Sequence, residues 1–112
     1  MGFSVMGAAY NKLDKKSEAL TAYCSARMIY YDLRLGGSEF RCVVSMASLL
    51  QQLQRLERTR VTCAQGVVLA RKLSDPKGHA QLLEIQAKAE EAAGNGALAK
   101  KLREEAAALT GS

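Results

Sequence analysis

Aromatic residues, proline and histidine are scarce in this chain of 112 residues. It contains no tryptophan, two phenylalanines, four tyrosines, one histidine and a single proline, Pro76. Glycine falls mostly at predicted turns, and the apolar residues are mainly Leu, Ala, Met and Val, as in a protein built only from helices. We expect one all-α domain over residues 1–112, a length that suits one domain.

Long apolar stretches are also missing, and no N-terminal signal is expected. The longest run without a charged residue, residues 42–54, contains Ser45, Ser48 and three glutamines. It is too short and too polar to span a bilayer. No basic residue precedes the first apolar stretch, so a secretory signal is not expected. The sequence predicts a cytoplasmic protein with no membrane span.

The three cysteines, Cys24, Cys42 and Cys63, lie inside helical patterns rather than in loops. No CxxC or Cys–His spacing occurs, so we expect no metal site. The simplest interpretation is that they are small buried apolar side chains in a reducing compartment.

Sets of catalytic residues are missing too. The one histidine, His79, falls in the first turn of a predicted helix, and no Ser–His–Asp or Cys–His set can be assembled around it. The adjacent pairs Glu90–Glu91 and Glu104–Glu105 point to different sides of a helix. We therefore expect neither enzymatic activity nor a cofactor.

What the sequence does contain is an internal repeat of about forty residues. Small residues recur at two positions of each copy, Gly7/Ala47/Ala87 and Ala26/Gly66/Ala106, and a bulky apolar residue recurs at Phe3/Val43/Leu83. Small residues let a second, antiparallel helix come close. The register predicts three helical hairpins, with repeats at roughly residues 1–36, 37–76 and 77–112.

The first copy resembles a tetratricopeptide repeat. The residues that carry the resemblance are Phe3, Met6, Gly7, Tyr10, Ala19 and Tyr23, which follow the family pattern of large apolar, Leu-Gly, aromatic, Ala and aromatic positions. The copies are longer than the usual length of about 34 residues, and in this they are similar to the repeats of the LGN/Pins and rapsyn group of adaptors. The resemblance implies a right-handed superhelix of about three antiparallel hairpins, a tetratricopeptide-like α-solenoid.

Six helices are expected from the register. Their predicted bounds are about 2–13, 17–35, 38 to a turn near 54–57, that turn to about 74, 76–93 and 97–109. Asp14–Ser17 is a polar turn in this scheme, and Asp75–Pro76 is a strong helix start. The turn near Gln54–Glu57 has no glycine or proline, so propensity alone would allow the third and fourth helices to be continuous, while the register favours a turn.

The charge of the chain is unevenly distributed. The formal net charge is +5, and residues 1–72 hold eleven Lys and Arg against five Asp and Glu. A basic patch of Arg55, Arg58 and Arg60 is either a site for an acidic or phosphate-rich partner or a solvated face. Nucleic acid is not a favoured partner, because the aromatic pair Tyr30–Tyr31 lies far from these arginines in sequence.

Tetratricopeptide arrays bind peptides in a groove lined by the first helix of each hairpin, and the resemblance places candidate groove residues here. They are Asn11, Lys12, Val44, Ser48, Gln51, Gln52, Glu84, Lys88 and Glu91. Co-chaperone members hold a peptide carboxylate with a Lys/Asn/Asn/Lys/Arg set, whereas this sequence has Ser4, Ala8, Ser45, Gln81 and Ile85 at the matching positions. That clamp is absent.

The expected function is a non-catalytic adaptor that binds a peptide segment of a partner protein. The alternative is a structural piece of a longer array that stacks on neighbouring repeats or associates with itself as a homo-oligomer.

Overall fold

The computed structural model describes the backbone of residues 5–111 and the side chains of residues 15–111. It has five helices: α1 (Val5–Asp32), α2 (Gly36–Gln52), α3 (Leu56–Lys72), α4 (Pro76–Ala92) and α5 (Gly96–Thr110). No strand occurs between residues 5 and 111, so the all-α prediction is confirmed. None of the helices in this part of the chain combines the length and the apolar character needed to cross a bilayer.

The prediction of six helices is wrong at the N-terminus, where the first two helices form one continuous α1 of 28 residues. The expected polar turn at Asp14–Ser17 contains no glycine or proline, and its lysines are good helix formers. Ser17 is not a helix cap, because it lies in the interior of α1, where its backbone carbonyl accepts a 3.1 Å hydrogen bond from the Thr21 hydroxyl. Nothing in the segment stops the helix, so it continues.

Four turns of the same geometry follow α1, and α2 to α5 begin twenty residues apart. The middle residue of each turn has a positive φ: 58° at Arg34, 59° at Gln54, 53° at Ser74 and 88° at Gly94. In each turn the backbone amide of the residue after this one donates a hydrogen bond to the carbonyl five residues earlier, in the last turn of the helix. An example is Arg55 N to Leu50 O at 2.9 Å. This is a Schellman-type ending, which satisfies carbonyls at the helix C-terminus. The turn between α2 and α3 is thus present, as the register predicted.

The start of α4 follows the sequence prediction. The Asp75 carboxylate accepts a hydrogen bond from the Gly78 amide at 3.0 Å, and Pro76 is the first residue of the helix. This cap satisfies one of the amides that a helix N-terminus leaves without a partner.

Each helix packs against its neighbours in the chain, and α2 also packs directly against α4. The small residues lie at the crossings: Ala47 and Ala87 have no exposed surface, and Ala106 and Gly66 are buried. A β-carbon on Gly66 would lie 2.6 Å from Leu82 Cδ1 and 2.9 Å from Val43 Cγ1. The predicted close approaches at these four positions are confirmed, whereas Ala26 is only half-buried. Gly7 lies outside the residues whose surroundings the structure describes.

Candidate functional site

A groove runs between α2 and α4, which pack directly against each other and also both pack on α3. Two adjoining depressions of about 580 Å³ and 570 Å³ share Val44, Ser45 and Gln81, and together they form one channel, here called the α2/α4 groove. On α2 its lining residues recur every three or four positions, as expected for one face of a helix. They are Gly37, Phe40, Arg41, Val44, Ser45, Ser48, Leu49 and Gln52.

The opposite wall of the groove comes from α4, and α1 closes one end. The α4 residues are Lys77, Gly78, Gln81, Glu84, Ile85 and Lys88, and α1 contributes Ala19 and Tyr23. Gly78 allows the wall to come close, since a β-carbon there would lie 2.5 Å from Phe40 Cε2. The small residue therefore determines how closely α4 approaches α2.

The chemistry of the groove changes along its length. Its middle is apolar and amide-bearing, with Val44, Ile85 and Gln81. Arg41 and Lys77 lie at the end nearest the helix N-termini, and Lys88 lies towards the other end. All three cations are exposed, and none forms an ion pair with a side chain in the described range 15–111.

The groove's two carboxylates are already engaged. Asp75 caps α4, and Glu84 Oε2 lies 3.9 Å from Arg103 Nε. The cations are therefore left as the charged groups that are available to a ligand. A ligand for this groove would have apolar side chains at its centre and negative charge towards its ends.

Five of the predicted groove residues come together here: Val44, Ser48, Gln52, Glu84 and Lys88. Ser48 and Gln52 are one turn apart, and Gln52 Nε2 donates a 3.3 Å hydrogen bond to Ser48 Oγ. Helical spacing also gives the neighbours of this set: Arg41 lies one turn before Val44, and Lys77 lies two turns before Glu84. Neither residue was among those predicted from the sequence.

Other predicted groove residues lie elsewhere. Gln51 points to the far side of α2, where it lines a separate cavity of about 230 Å³ with Gln54 and Arg55. Glu91 is exposed and forms an ion pair with Arg103 of α5. The side chains of Asn11 and Lys12 lie outside the described part of the chain.

The predicted basic patch divides into two parts. Arg55 and Arg58 are exposed, and Arg55 lines the 230 Å³ cavity. Arg60 instead forms a bidentate ion pair with Glu90 of α4, with both nitrogen–oxygen distances at 2.7 Å. Its third nitrogen donates to Glu57 at 2.8 Å. All three nitrogens of the Arg60 guanidinium thus donate within the fold, and Arg55 and Arg58 are the arginines of the patch that remain exposed.

Glu90 is the one charged side chain with no exposed surface among the described residues. Besides Arg60, it accepts a hydrogen bond from Asn95 Nδ2 at 2.9 Å. These hydrogen bonds, led by that from Arg60, lower the pKa of Glu90 to about 2 despite its burial. The carboxylate is thus ionised and paired at neutral pH.

The cysteines and the histidine lie on different helices: Cys24 on α1, Cys42 on α2, Cys63 on α3 and His79 on α4. Cys42 and Cys63 are buried, as predicted, whereas Cys24 is only half-buried. Burial raises the pKa of Cys63 to about 12, so its thiol stays protonated. His79 is half-buried beside Arg71, Leu83 and Glu105. Within the described residues, no group of three or more His, Cys, Asp or Glu side chains could hold a metal ion.

Three of the positions that match the co-chaperone clamp line the α2/α4 groove: Ser45, Gln81 and Ile85. None of the three carries a positive charge, so they cannot hold a carboxylate by an ion pair. The cations of the groove lie at other positions, chiefly Arg41, Lys77 and Lys88. No family model, no curated protein and no solved structure matches this chain.

Proposed function

We propose that this chain is a non-catalytic protein–protein interaction module that holds a peptide segment of a partner protein in the α2/α4 groove. The observation that carries the proposal is a continuous channel along two neighbouring helices, apolar at its centre and lined by amide and hydroxyl groups. Apolar pockets give a bound segment its affinity, and a few polar groups fix its orientation. Val44 and Ile85 would supply the apolar contacts, and Gln52 and Gln81 would supply the polar groups that orient the segment.

The architecture that goes with this function is a tetratricopeptide-like right-handed superhelix. Its support is the direct packing of α2 on α4 and the recurrence of one turn geometry every twenty residues. In such an array each repeat contacts its neighbours, and the first helices together form a concave binding surface.

Charge restricts the class of peptide. Arg41 and Lys77 at one end, and Lys88 at the other, are exposed and have no charged partner among the described side chains. The preferred segment carries Asp or Glu near both ends and apolar residues between them. The proposed location is the cytoplasm, in keeping with the three free cysteines.

The experiment uses peptides selected from a random display library on the wild-type chain. Affinities of the selected peptides are then measured by fluorescence anisotropy for two single variants, Gln52→Ala and Gln51→Ala. These residues are adjacent in sequence, but only Gln52 lines the groove. A lost hydrogen bond of about 0.5–1.5 kcal/mol corresponds to a several-fold weaker affinity for Gln52→Ala, with Gln51→Ala unchanged.

The basic patch provides the competing result. If Arg55→Ala combined with Arg58→Ala abolishes binding while Gln52→Ala and Lys88→Ala have no effect, the peptide binds to the patch and the groove proposal is wrong. Affinity should then fall steeply with added salt, because exposed charges are screened. A library that yields no binder to the folded chain would also contradict the proposal.

A further inference from the structure

The cavity of about 230 Å³ beside Gln51 is separate from the α2/α4 groove, and three helices contribute to its wall. The turn between α2 and α3 supplies Gln54 and Arg55, and Leu56 is the first residue of α3. The facing wall is the C-terminal end of α4 and the residue after it, with Ala89, Ala92 and Ala93. No described residue lines both this cavity and the groove.

Small side chains at the end of α4 account for the cavity. Forty residues earlier in the repeat, the positions of the three alanines hold Leu49, Gln52 and Leu53. There the two leucines pack against the apolar cluster of Leu20, Met46 and Leu50. An alanine side chain ends at its β-carbon, so α4 cannot fill the corresponding space.

Three side chains that can donate hydrogen bonds border the cavity. Within the described part of the chain, Gln51, Gln54 and Arg55 form no side-chain hydrogen bond or ion pair. Thr59 also lines the cavity, but it has no exposed surface and its hydroxyl donates to the backbone carbonyl of Arg55 at 2.7 Å. Two amides and one guanidinium are therefore left for a ligand, and none of the described residues on the lining carries a carboxylate.

These groups are suited to a carboxylate that is attached to a hydrocarbon group. A guanidinium matches a carboxylate with two parallel hydrogen bonds, and glutamine amides can donate to the same oxygens. Leu56 and the three alanines offer an apolar wall, where a hydrocarbon group would be removed from water. Since a cavity of about 150 Å³ holds benzene, one of about 230 Å³ has room for a phenyl ring and a short linker.

We propose that this cavity is a binding site for a monocarboxylate with a phenyl or branched alkyl group. The carboxylate binds to Arg55 and the apolar group lies against the alanines at the end of α4. The same chemistry occurs in a small free acid and in the C-terminal residue of a protein chain, so the experiments include both. The site does not depend on the proposed peptide groove, because the two share no described lining residue.

The first test is a titration of the isotope-labelled full chain with phenylpropanoate, followed by heteronuclear NMR. The binding efficiency that is typical of small ligands gives an expected dissociation constant on the order of 1 mM. The amide signals of Arg55 and Ala92 should shift, and those of Val44 and Gln81 in the groove should not. Phenylpropanamide, the neutral analogue, should bind at least about tenfold more weakly, because it lacks the charge that pairs with the guanidinium. No saturable shift, or equal affinities of acid and amide, would overturn the proposal.

The second test fills the cavity with a side chain that the protein itself has at the equivalent position. Ala93→Leu copies Leu53, and the two residues have nearly the same backbone conformation, with φ of −86° and −82°. This variant should lose phenylpropanoate binding, whereas Ala97→Leu, at an exposed alanine that is not on the lining, should keep it. Unchanged binding by Ala93→Leu, with its fold confirmed by circular dichroism, would contradict the site.

A third test removes the charge without altering the packing of the helices. Arg55→Gln should weaken phenylpropanoate binding at least about tenfold, because the carboxylate loses its ion pair. Arg58→Gln is the matched control, since Arg58 is equally exposed but does not line the cavity. Gln52→Ala, the groove variant, should leave this affinity unchanged. Equal effects of the two arginine variants, or a loss of binding in Gln52→Ala, would assign the ligand to another surface and overturn the proposal.

Short peptides distinguish the two sources of the ligand. One peptide ends in phenylalanine with a free carboxylate, and its control has the same sequence with a C-terminal amide. If the free-acid peptide binds more tightly than phenylpropanoate, the ligand is the end of a protein chain, and if it binds more weakly, the ligand is a small acid. In either case Arg55→Gln must weaken the tighter ligand, and a peptide amide that binds as well as the free acid would contradict the role of the carboxylate.

Discussion

The interface between α1 and α2 and the interface between α3 and α4 occupy equivalent places in the repeat, yet different chemistry holds them together. In the first, Leu20 and Leu50 lie in one apolar cluster. Forty residues later the same two positions are Arg60 and Glu90, which form the bidentate ion pair. Leu50 and Glu90 are both without exposed surface.

The relation is reversed at the other end of these interfaces. There α1 and α2 carry an ion pair, with Arg27 Nε 3.6 Å from Glu39 Oε2. The equivalent positions of α3 and α4 are Val67 and His79. Among the described residues, each interface thus has one ion pair, and the two ion pairs lie at opposite ends.

The comparison teaches that the repeat preserves the shape of a helix crossing rather than its chemistry. An ion pair with a buried carboxylate adds little net stability over a well-packed apolar pair, because Glu90 loses its hydration when it is buried. It can still select a partner, since a helix that presents Arg60 is matched only by one with a carboxylate at the right height. We infer that the different pairs help each helix to choose its correct neighbour.

The largest expected effect comes from breaking the charged interface on one side. Glu90→Ala removes the carboxylate, so that Arg60 loses its main partner. It also creates a cavity at a fully buried position. Loss of one partner of a buried pair costs about 3–5 kcal/mol; we expect about 3 kcal/mol, because the arginine can still reach water. Urea unfolding measures it, and Glu91→Ala, at the exposed neighbour, is the control. Equal midpoints for the two variants would contradict the structural role of Glu90.

The next effect is steric and concerns the crossing itself. Gly66→Leu would drive a side chain into Leu82 and Val43, and overpacking of this kind costs about 1–3 kcal/mol. Gly37→Leu is the control, because nothing lies within 4 Å of a β-carbon at that glycine. An unchanged urea midpoint for Gly66→Leu would show that the forty-residue register does not describe the packing.

Acid should weaken the Arg60–Glu90 ion pair and leave the Leu20–Leu50 contact at the equivalent positions intact. The pKa of Glu90 is about 2 when folded, below an ordinary glutamate value of about 4.3. Because the folded-state pKa of Glu90 is lowered, its ionisation stabilises the folded protein, and this stabilisation is fully present at pH values above the unfolded-state pKa. It is lost as the pH falls from about 4.3 towards 2. Unfolding midpoints at pH 7, 5 and 3 should fall more for wild type than for a variant with leucine at both positions 60 and 90. Parallel curves for the two proteins would refute the assignment.

The smallest effect concerns the turn that joins the two interfaces. Gln54 has a φ of 59°, which costs an ordinary residue about 1 kcal/mol relative to glycine. Gln54→Gly should therefore stabilise by roughly 0.5–1 kcal/mol, whereas Gly94→Ala, at the equivalent turn, should destabilise by a similar amount. Thermal unfolding of both variants checks the pair, and a stability loss for Gln54→Gly would contradict the turn geometry.

Much of the fold could be predicted from residue size and spacing. The recurrence of small residues at Ala47, Gly66, Ala87 and Ala106 identified the crossings, because close packing leaves no room for larger side chains there. The α2–α3 turn was predicted from register only, since Leu53, Gln54 and Arg55 have no turn chemistry of their own. The break after Leu13 failed for the same reason: without a stop signal, local propensity favoured a continuous helix.

The groove was partly predictable and the ion pair was not. Helical spacing identified Val44, Ser48 and Gln52 as one face, but the rotation that turns Gln51 away depends on how α2 packs on α3 and α4. From the sequence, Arg60 looked like a member of an exposed basic patch. Glu90 is thirty residues further along the chain, and only the fold shows that the two side chains meet across neighbouring helices. Long-range pairing of this kind is determined by tertiary structure alone.

The most direct test of the equivalence of the two interfaces is a double-mutant cycle at positions 60 and 90. Wild type, Arg60→Leu, Glu90→Leu and the double variant are compared by urea unfolding at pH 7. Each single variant leaves one charge without its partner, and the double variant recreates the Leu20–Leu50 pair of the other interface. The account predicts that both single variants are destabilised and that the double variant is at least as stable as wild type. A double variant destabilised by as much as the two single variants combined would contradict it.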